Sequence, residues 1–308
     1  MLSIIIPVYN EAKNISVMAD ALKSIVHHPF EIIFVDDGST DETLQQVRLL
    51  ANDNDNIKCI SLSRNFGHQN ALMAGMEFAR GNEIITMDGD MQHPPSLIPE
   101  MLKLLHEGYD IVFTRRRNNE NQSGFKKATA NLFYRFLNVI SDTKIEPNVA
   151  DFKAFNHKVL SAILRFKERE LFIRGIFSWI GFKSITIGFD VQPRHSGKTK
   201  YNFGSMMRLA LKGTTSFGFK PLRLALMIGS LISLLAFGFA FFALIQYYNG
   251  NTVPGWASLI IAVMFLGGVQ LLAIGLLGEY IASLFIEVKK RPLYLVKDLL
   301  NLDDENRK

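Results

Sequence analysis

Cysteine is nearly absent: the 308 residues contain one, Cys59. A lone thiol excludes an internal disulfide and offers no Cys/His spacing for a structural zinc, so Cys59 reads as a small core residue of a protein whose soluble part sits in a reducing compartment. No secretory leader is expected either, because Leu2–Val8 is short, has no basic flank and runs into Asn10 and Glu11. That run is expected to be a first β-strand. Charge is missing on a larger scale, since no Asp, Glu, Lys or Arg occurs between Leu224 and Gly278. No nucleic-acid motif accompanies the net charge of +5, so a nucleic-acid partner is not expected.

The uncharged stretch divides at Asn249, Gly250, Asn251, Pro254 and Gly255, a cluster that breaks a helix. Two apolar segments result, Leu222–Tyr248 and Trp256–Ile286, each longer than the roughly 20 residues a helix needs to cross a bilayer. A buried hairpin in a soluble core is the alternative, and segments this long and uncharged argue against it. Tyr247, Tyr248 and Trp256 flank the turn as interfacial aromatics do. Arg208, Lys212, Lys220 and Arg223 precede the region, and Lys289, Lys290, Arg291 and Lys297 follow it. Cations at both outer ends place both termini on the cytoplasmic side of the plasma membrane, with the turn outside. Expected boundaries are residues 1–202 for a cytoplasmic catalytic domain, 203–221 for a juxtamembrane amphipathic helix, 222–286 for two spans and 287–308 for a cytoplasmic tail. The 203–221 segment fits either the bilayer interface or a face of the soluble domain.

In the first hundred residues, short β-branched runs alternate with stretches of helical periodicity. Strands are expected at Leu2–Val8, Glu31–Val35, Ile57–Leu62 and Glu83–Met87, with helices over Ala12–Val26, Asp41–Asn52 (capped by Thr40 or Asp41) and Gln69–Arg80. Such alternation specifies an α/β fold whose mostly parallel sheet is covered by helices on both faces. Ligands of these sheets bind at the carboxyl ends of strands, so the loops after Val8, Val35 and Met87 should share one rim. Past Thr114 the pattern loosens: Arg115–Lys127 reads as a basic mobile loop and Ala128–Ile140 as an amphipathic helix.

Polar residues cluster at that rim. Asp88 and Asp90 follow an apolar strand with Gln92 and His93 close behind, and paired carboxylates at a strand end suit Mg²⁺ or Mn²⁺ bound to a diphosphate. Asp36 and Asp37 follow another strand, where they can accept hydrogen bonds from a ribose or base while Ser39 or Asp41 caps the next helix.

Pro7-Val8-Tyr9-Asn10-Glu11, Asp36-Asp37-Gly38-Ser39, Arg64-Asn65-Phe66-Gly67 and Asp88-Gly89-Asp90-Met91-Gln92-His93-Pro94-Pro95, in this order and spacing, resemble the family 2 glycosyltransferases of GT-A (Rossmann-like) fold. Within that family the chain is most similar to polyprenyl-phosphate sugar transferases, the bactoprenol glucosyltransferase and dolichol-phosphate mannose synthase group. The likeness extends to the C-terminal apolar hairpin, Leu277-Gly278-Glu279-Tyr280 and Lys289-Lys290-Arg291-Pro292.

The resemblance implies transfer of a hexose, glucose first, from a UDP-sugar to undecaprenyl or a similar polyprenyl phosphate, with inversion. It implies that Pro7, Tyr9, Glu11, Asp36 and Asp37 line the nucleoside pocket and that Asp88, Asp90 and Gln92 surround the metal. Arg115 and Lys127 match cations for the acceptor phosphate, while Arg194 and Lys200, with Lys198 between them, match the segment that folds over the donor diphosphate. Asp151 matches an acid near the sugar that acts either as a general base or as an orienting group. Glu170, Arg174, Gly175 and Trp179 also resemble a family stretch, without an assigned role. Relatives often carry Asp where this chain has His93, and a loop histidine of this kind reads as a hydrogen-bonded structural residue. A homo-oligomer, up to a tetramer, is expected, with Gly267, Gly268 and Gly275 allowing close helix contact within or between chains. A processive polysaccharide synthase would show a Gln-x-x-Arg-Trp motif and more spans, and neither is present. A non-catalytic nucleotide-sugar-binding subunit is the other alternative, and the retained acids and Arg194 oppose it.

Overall fold

The computed structural model describes residues 1–117, 149–169, 172–190, 220–249 and 255–302. An eight-stranded sheet runs in the order β7-β5-β6-β4-β1-β2-β3-β8. Its first four strands are β1 (Leu2–Val8), β2 (Phe30–Asp36), β3 (Ile57–Leu62) and β4 (Glu83–Thr86), all mutually parallel. These are the expected strands, and nearly continuous apolar side chains account for them: Ile4, Ile5, Ile6, Ile32, Ile33 and Phe34 are all 0% exposed because helices cover both faces. Connecting them are α1 (Ile15–Ile25), preceded by a 3₁₀ turn at Ala12–Asn14, α2 (Thr43–Asn52) and α3 (His68–Phe78). Helix α1 buries Ile15, Met18, Ala19 and Leu22, the i, i+3, i+4, i+7 stripe of an amphipathic helix. Helix α2 starts two residues later than its sequence suggests. There Asp41 Oδ1 accepts the Thr43 backbone N–H at 3.0 Å, satisfying an early helical donor from outside the helix.

Beyond β4 come α4 (Ile98–His106), β5 (Ile111–Arg116), β6 (Val149–Asn156), α5 (His157–Ile163), α6 (Ile173–Trp179) and β7 (Ser184–Phe189). Strand β6 is antiparallel to both β4 and β5, and β7 is parallel to β5. The basic stretch expected as a loop from Arg115 therefore begins inside a strand: Arg115 and Arg116 pair with Gly188 and Phe189 of β7. The expected helix over Ala128–Ile140 lies outside the described residues. Because β6 is reversed, its first residues share an edge with the carboxyl ends of β1, β2, β4 and β5. Two hydroxyls fix its position, Thr86 Oγ1 donating to the Asp151 carbonyl at 2.7 Å and Thr114 Oγ1 to the Phe152 carbonyl at 2.6 Å.

Helix α3 lies close to the sheet where Gly75 faces it. A Cβ there would stand 2.3 Å from Ile5 Cγ2 and 3.1 Å from Val35 Cγ2. Gly75→Ala is expected to destabilise the fold by about 1–3 kcal/mol through overpacking. Thermal unfolding of the purified protein in detergent checks this, and an unchanged Tm would contradict so close an approach of α3 to β1.

Two long helices follow, α7 (Lys220–Tyr248) and α8 (Trp256–Lys289), matching both expected apolar segments. Among the described residues, Phe265–Lys289 is long and apolar enough to cross a membrane, with mean hydropathy 1.8, and none of it is buried in protein. Leu234, Phe237, Phe239 and Leu271 are 71–74% exposed, so the hairpin does not fill a soluble core. Gly267, Gly268 and Gly275 have nothing within 4 Å of an added Cβ among the described residues, so among these they serve no close helix contact. The 203–219 stretch lies outside the described residues.

Past α8 the chain does not trail away as an isolated tail. Lys290 turns with φ +47°, Tyr294 Oη donates to Glu77 Oε2 on α3 at 2.6 Å, and β8 (Val296–Leu300) joins β3 antiparallel as the eighth strand. Asn301 Nδ2 then donates to the carbonyls of Ala51 and Ile57 at 2.7 and 2.8 Å. The sheet thus contains residues from both sides of the apolar hairpin.

Candidate active site

The loops after β1 and β2 are hydrogen-bonded into one wall. Asn10 N–H donates to Ser39 Oγ at 3.0 Å, Thr40 N–H to Asn10 Oδ1 at 2.9 Å and Glu11 N–H to Thr43 Oγ1 at 2.8 Å. Pro7 is buried at the end of β1, and Tyr9 and Glu11 are half-buried on this wall. Asp36 and Asp37 are 1% and 3% exposed. Burial pushes both carboxyls above their ordinary value, with backbone hydrogen bonds opposing it. Asp37 also has a job its motif did not reveal: its two oxygens accept the Phe66 and Gly67 N–H groups at 2.7 and 2.9 Å, tying down the loop into α3. Gly38 is required here, since at φ +68° a Cβ would lie 2.5 Å from the Arg64 carbonyl carbon.

Asp88 and Asp90 emerge after β4 as expected. Asp90 Oδ1 accepts the Gln92 backbone N–H at 3.1 Å, so Gln92 orders the turn through its main chain. Asp88 Oδ1 is buried and accepts no hydrogen bond among the described residues. A buried carboxylate oxygen without a donor costs stability, and such an atom suits a cation. Among the described residues no group of three or more His, Cys, Asp and Glu could hold a metal alone. Two carboxylates, with the remaining positions left to substrate oxygens and water, match how Mg²⁺ binds phosphates, so Asp88 and Asp90 fit the expected ion.

His93 is fully buried, stacked on Phe152 with centroids 5.1 Å apart, and its Nδ1 accepts the Asp88 backbone N–H at 3.1 Å. Burial depresses its pKa against the pull of Asp88 and Asp90, keeping the ring neutral. That hydrogen bond uses the Nδ1 lone pair and places the proton on Nε2, leaving no lone pair for a metal. Its role is to hold the Asp88 backbone.

The reversed strand β6 brings a third acid to the rim. Asp151 accepts two bonds from Arg174 of α6, Nε to Oδ1 at 3.0 Å and Nη2 to Oδ2 at 2.7 Å, and Lys153 Nζ stands 3.6 Å from Oδ1. Burial alone would raise its pKa, but Arg174, His68 and Lys153 together hold the carboxyl well below the usual range. Lys153 is 1% exposed, packs its ammonium 4.4 Å from the centre of the Phe177 ring, and has its pKa lowered by burial.

His68, at the first turn of α3, links the two acidic groups: its Nε2 stands 3.5 Å from Asp88 Oδ1 and 3.6 Å from Asp151 Oδ2. Burial works to lower its pKa, but Asp151 and Asp88 outweigh it and raise the value. The side chain is 40% exposed, so it sits at the lip of the cleft. Sequence reading stopped at Gly67 and passed over His68. The available signal was a histidine directly after a positive-φ glycine at a strand-to-helix rim. Lys153 and Arg174 were visible only as neighbours in motifs.

Arg115, at the end of β5, is exposed on the same edge. Lys127, Glu170, Arg194, Lys198 and Lys200 lie outside the described residues. The rim therefore joins Asp36, Asp37, Asp88, Asp90, Asp151 and Arg115 along one edge, with His68, Lys153 and Arg174 around Asp151. That arrangement can grip a divalent ion and a polyanion together.

Residues 3–164 match the model of glycosyl transferase family 2, and residues 220–284 match that of the GtrB C-terminal hairpin. An uncharacterized glycosyltransferase from Synechocystis sp. is 42% identical over 306 residues, covering 98% of this chain and 96% of that protein. A prophage bactoprenol glucosyl transferase homolog from Escherichia coli is 38% identical over 300 residues, covering 96% of this chain and 98% of that one. A solved mannosyltransferase from Pyrobaculum calidifontis, in complex with GDP-Man and Mn²⁺, covers 94% of this chain and 88% of its own at 18% identity and a TM-score of 0.49. With a mostly parallel sheet, an acidic rim and a family model spanning more than half its length, the chain belongs to glycosyl transferase family 2 and is a glycosyltransferase.

Proposed function

We propose that the protein transfers a hexose, glucose first, from a UDP-sugar to polyprenyl phosphate at the cytoplasmic face of the plasma membrane, with inversion at the anomeric carbon. The observation that carries this reading is the acidic rim, where a buried Asp88 oxygen accepts no hydrogen bond among the described residues, in a chain that also bears an exposed apolar hairpin. A donor diphosphate calls for the first feature and a lipid acceptor for the second. Similarity to bactoprenol glucosyl transferases over nearly the whole chain supports the lipid acceptor. The return of β8 to the sheet supports a two-span hairpin with both ends on the catalytic side.

An Mg²⁺ or Mn²⁺ ion held by Asp88 and Asp90, with Gln92 nearby, would supply positive charge to the departing diphosphate. The chain's own residues do the rest. Arg115, with Lys127, draws in the acceptor phosphate, offsetting the repulsion between two anions. Arg194 and Lys200 cover the donor diphosphate, and Pro7, Tyr9, Glu11, Asp36 and Asp37 seat its nucleoside. A phosphate oxygen then attacks the anomeric carbon, while the bond from that carbon to the diphosphate breaks and its electron pair leaves with the nucleoside diphosphate. Single-step attack from the opposite face inverts the centre.

Asp151 orients rather than accepts a proton. Its carboxylate is committed to Arg174 and is held too acidic to be an effective base, and a phosphate ester already ionised near neutral pH needs little deprotonation. The purified enzyme, given a panel of nucleotide sugars, polyprenyl phosphate and Mg²⁺ or Mn²⁺, is expected to form a glycosyl phospholipid identifiable by mass, most readily from UDP-glucose. NMR of that product should give an anomeric configuration opposite to the donor's. Retention, or a product lengthened by several sugars, would overturn the scheme.

A further inference from the structure

Helix α6 ends in an exposed aromatic. Trp179 is 63% exposed and meets Phe166 edge-to-face at 5.5 Å, in the loop after α5. Three residues further along that loop, the Arg169 backbone N–H donates to Glu287 Oε1 at 2.6 Å, in the last turn of α8. The aromatic pair is therefore joined by one short segment to the point where the apolar helix ends. Leaving a large apolar side chain in water forgoes the free energy of burying it, so a surface that keeps one beside a membrane helix invites a partner.

The charges around it indicate which partner. Arg165, Lys167 and Arg169 lie on the loop, and Lys289, Lys290 and Arg291 lie at the end of α8. Two acids interrupt these cations, Glu168 on the loop and Glu287 on α8, close enough for their charges to repel each other. Tryptophan bordered by Lys and Arg is the composition of a headgroup-level belt, where the ring sits among lipid carbonyls and the cations meet anionic headgroups.

We propose that Trp179 and Phe166, with Arg165 and Lys167, form a docking surface through which the catalytic domain rests on the anionic bilayer that α8 enters. This rests on the membrane reading of the hairpin given above. Docking at this second point, beside the attachment at Glu287, fixes the height of the acidic rim above the lipid surface. It thereby keeps the cleft within reach of an acceptor phosphate that cannot leave the headgroup plane.

The chain contains two tryptophans, Trp179 and Trp256, so Trp256→Phe and Trp179→Phe each leave a single reporter. Both variants are reconstituted in nanodiscs of phosphatidylcholine with phosphatidylglycerol, with and without lipids brominated near the headgroup end of the acyl chain. Emission from Trp179 is expected to fall about twofold with brominated lipid. The quenching should weaken when phosphatidylglycerol is left out, and again in Arg165→Glu/Lys167→Glu, because each cation adds attraction to an anionic surface. Quenching of Trp256 without quenching of Trp179 overturns the docking surface and leaves the hairpin reading intact. Failure at both positions overturns both. A Trp179 shielded from iodide yet insensitive to brominated lipid would assign the surface to a second copy of the chain, which also overturns the proposal.

Discussion

Asp90→Ala is expected to lower kcat by about 10²–10³-fold, the usual cost of removing one electrostatic stabiliser of a leaving group, with little change in Tm. Asp90 is half-buried, and its bond from the Gln92 N–H lies within a local turn, so deleting the side chain removes no part of the apolar core. Asp88→Asn should give a sharper result. Its buried Oδ1 accepts no hydrogen bond among the described residues and has His68 Nε2 at 3.5 Å, so the isosteric amide gives up only that ion pair at the lip of the site, and Tm should change little while activity falls. Loss of function without loss of stability is the signature of a group kept for a ligand. Titration with Mn²⁺ followed by EPR separates binding from chemistry, since both variants should bind the ion more weakly. Near-normal metal-dependent turnover in Asp90→Ala would remove that residue from the site.

The second large effect falls on stability. Asp151→Ala leaves Lys153, 1% exposed, without its carboxylate and Arg174 without its bidentate partner. Breaking a buried ion pair by removing one member costs about 3–5 kcal/mol, which should appear as a marked fall in Tm. Arg174→Ala should cost less, because Asp151 keeps Lys153 at 3.6 Å and its Arg174 partner is itself 36% exposed. The pH dependence has a definite sign. Asp151's folded pKa is depressed, so its stabilisation is fully present above the unfolded carboxylate value near about 3.9 and is lost as pH falls through the lower folded value. The wild type should therefore show no Asp151-linked loss at neutral or mildly acidic pH, and the pH–rate profile should lack an acid limb from this group. An acid limb near pH 6 that disappears in Asp151→Asn would restore it as a general base.

What could be read from sequence tracks where charge falls. Strands β1 to β4 were legible because apolar runs such as Leu2–Val8 and Glu31–Val35 leave few alternatives once helices cover both faces. Strand β6 was hidden by its function: in Val149–Asn156 the side of the strand away from Phe152 and Ala154 carries Asp151 and Lys153, so the residues that build the site erase its apolar pattern. Strand β8, with Lys297 and Asp298 exposed in five residues, looks like tail until it meets β3. The acids of the rim were legible because they follow strands. Their partners were not, because Arg174 and His68 reach Asp151 from two different helices, and that convergence exists only after folding.

Placing the last strand of the sheet after the hairpin has a consequence for biosynthesis. The ribosome makes both apolar helices before the residues that close the β3 edge emerge, so that edge lacks its β8 partner throughout translation of α7 and α8. An exposed strand edge is a site for aggregation. The order of the chain thus leaves the sheet incomplete until the whole apolar hairpin has been made, and a chain truncated within α7 or α8 would keep that open edge.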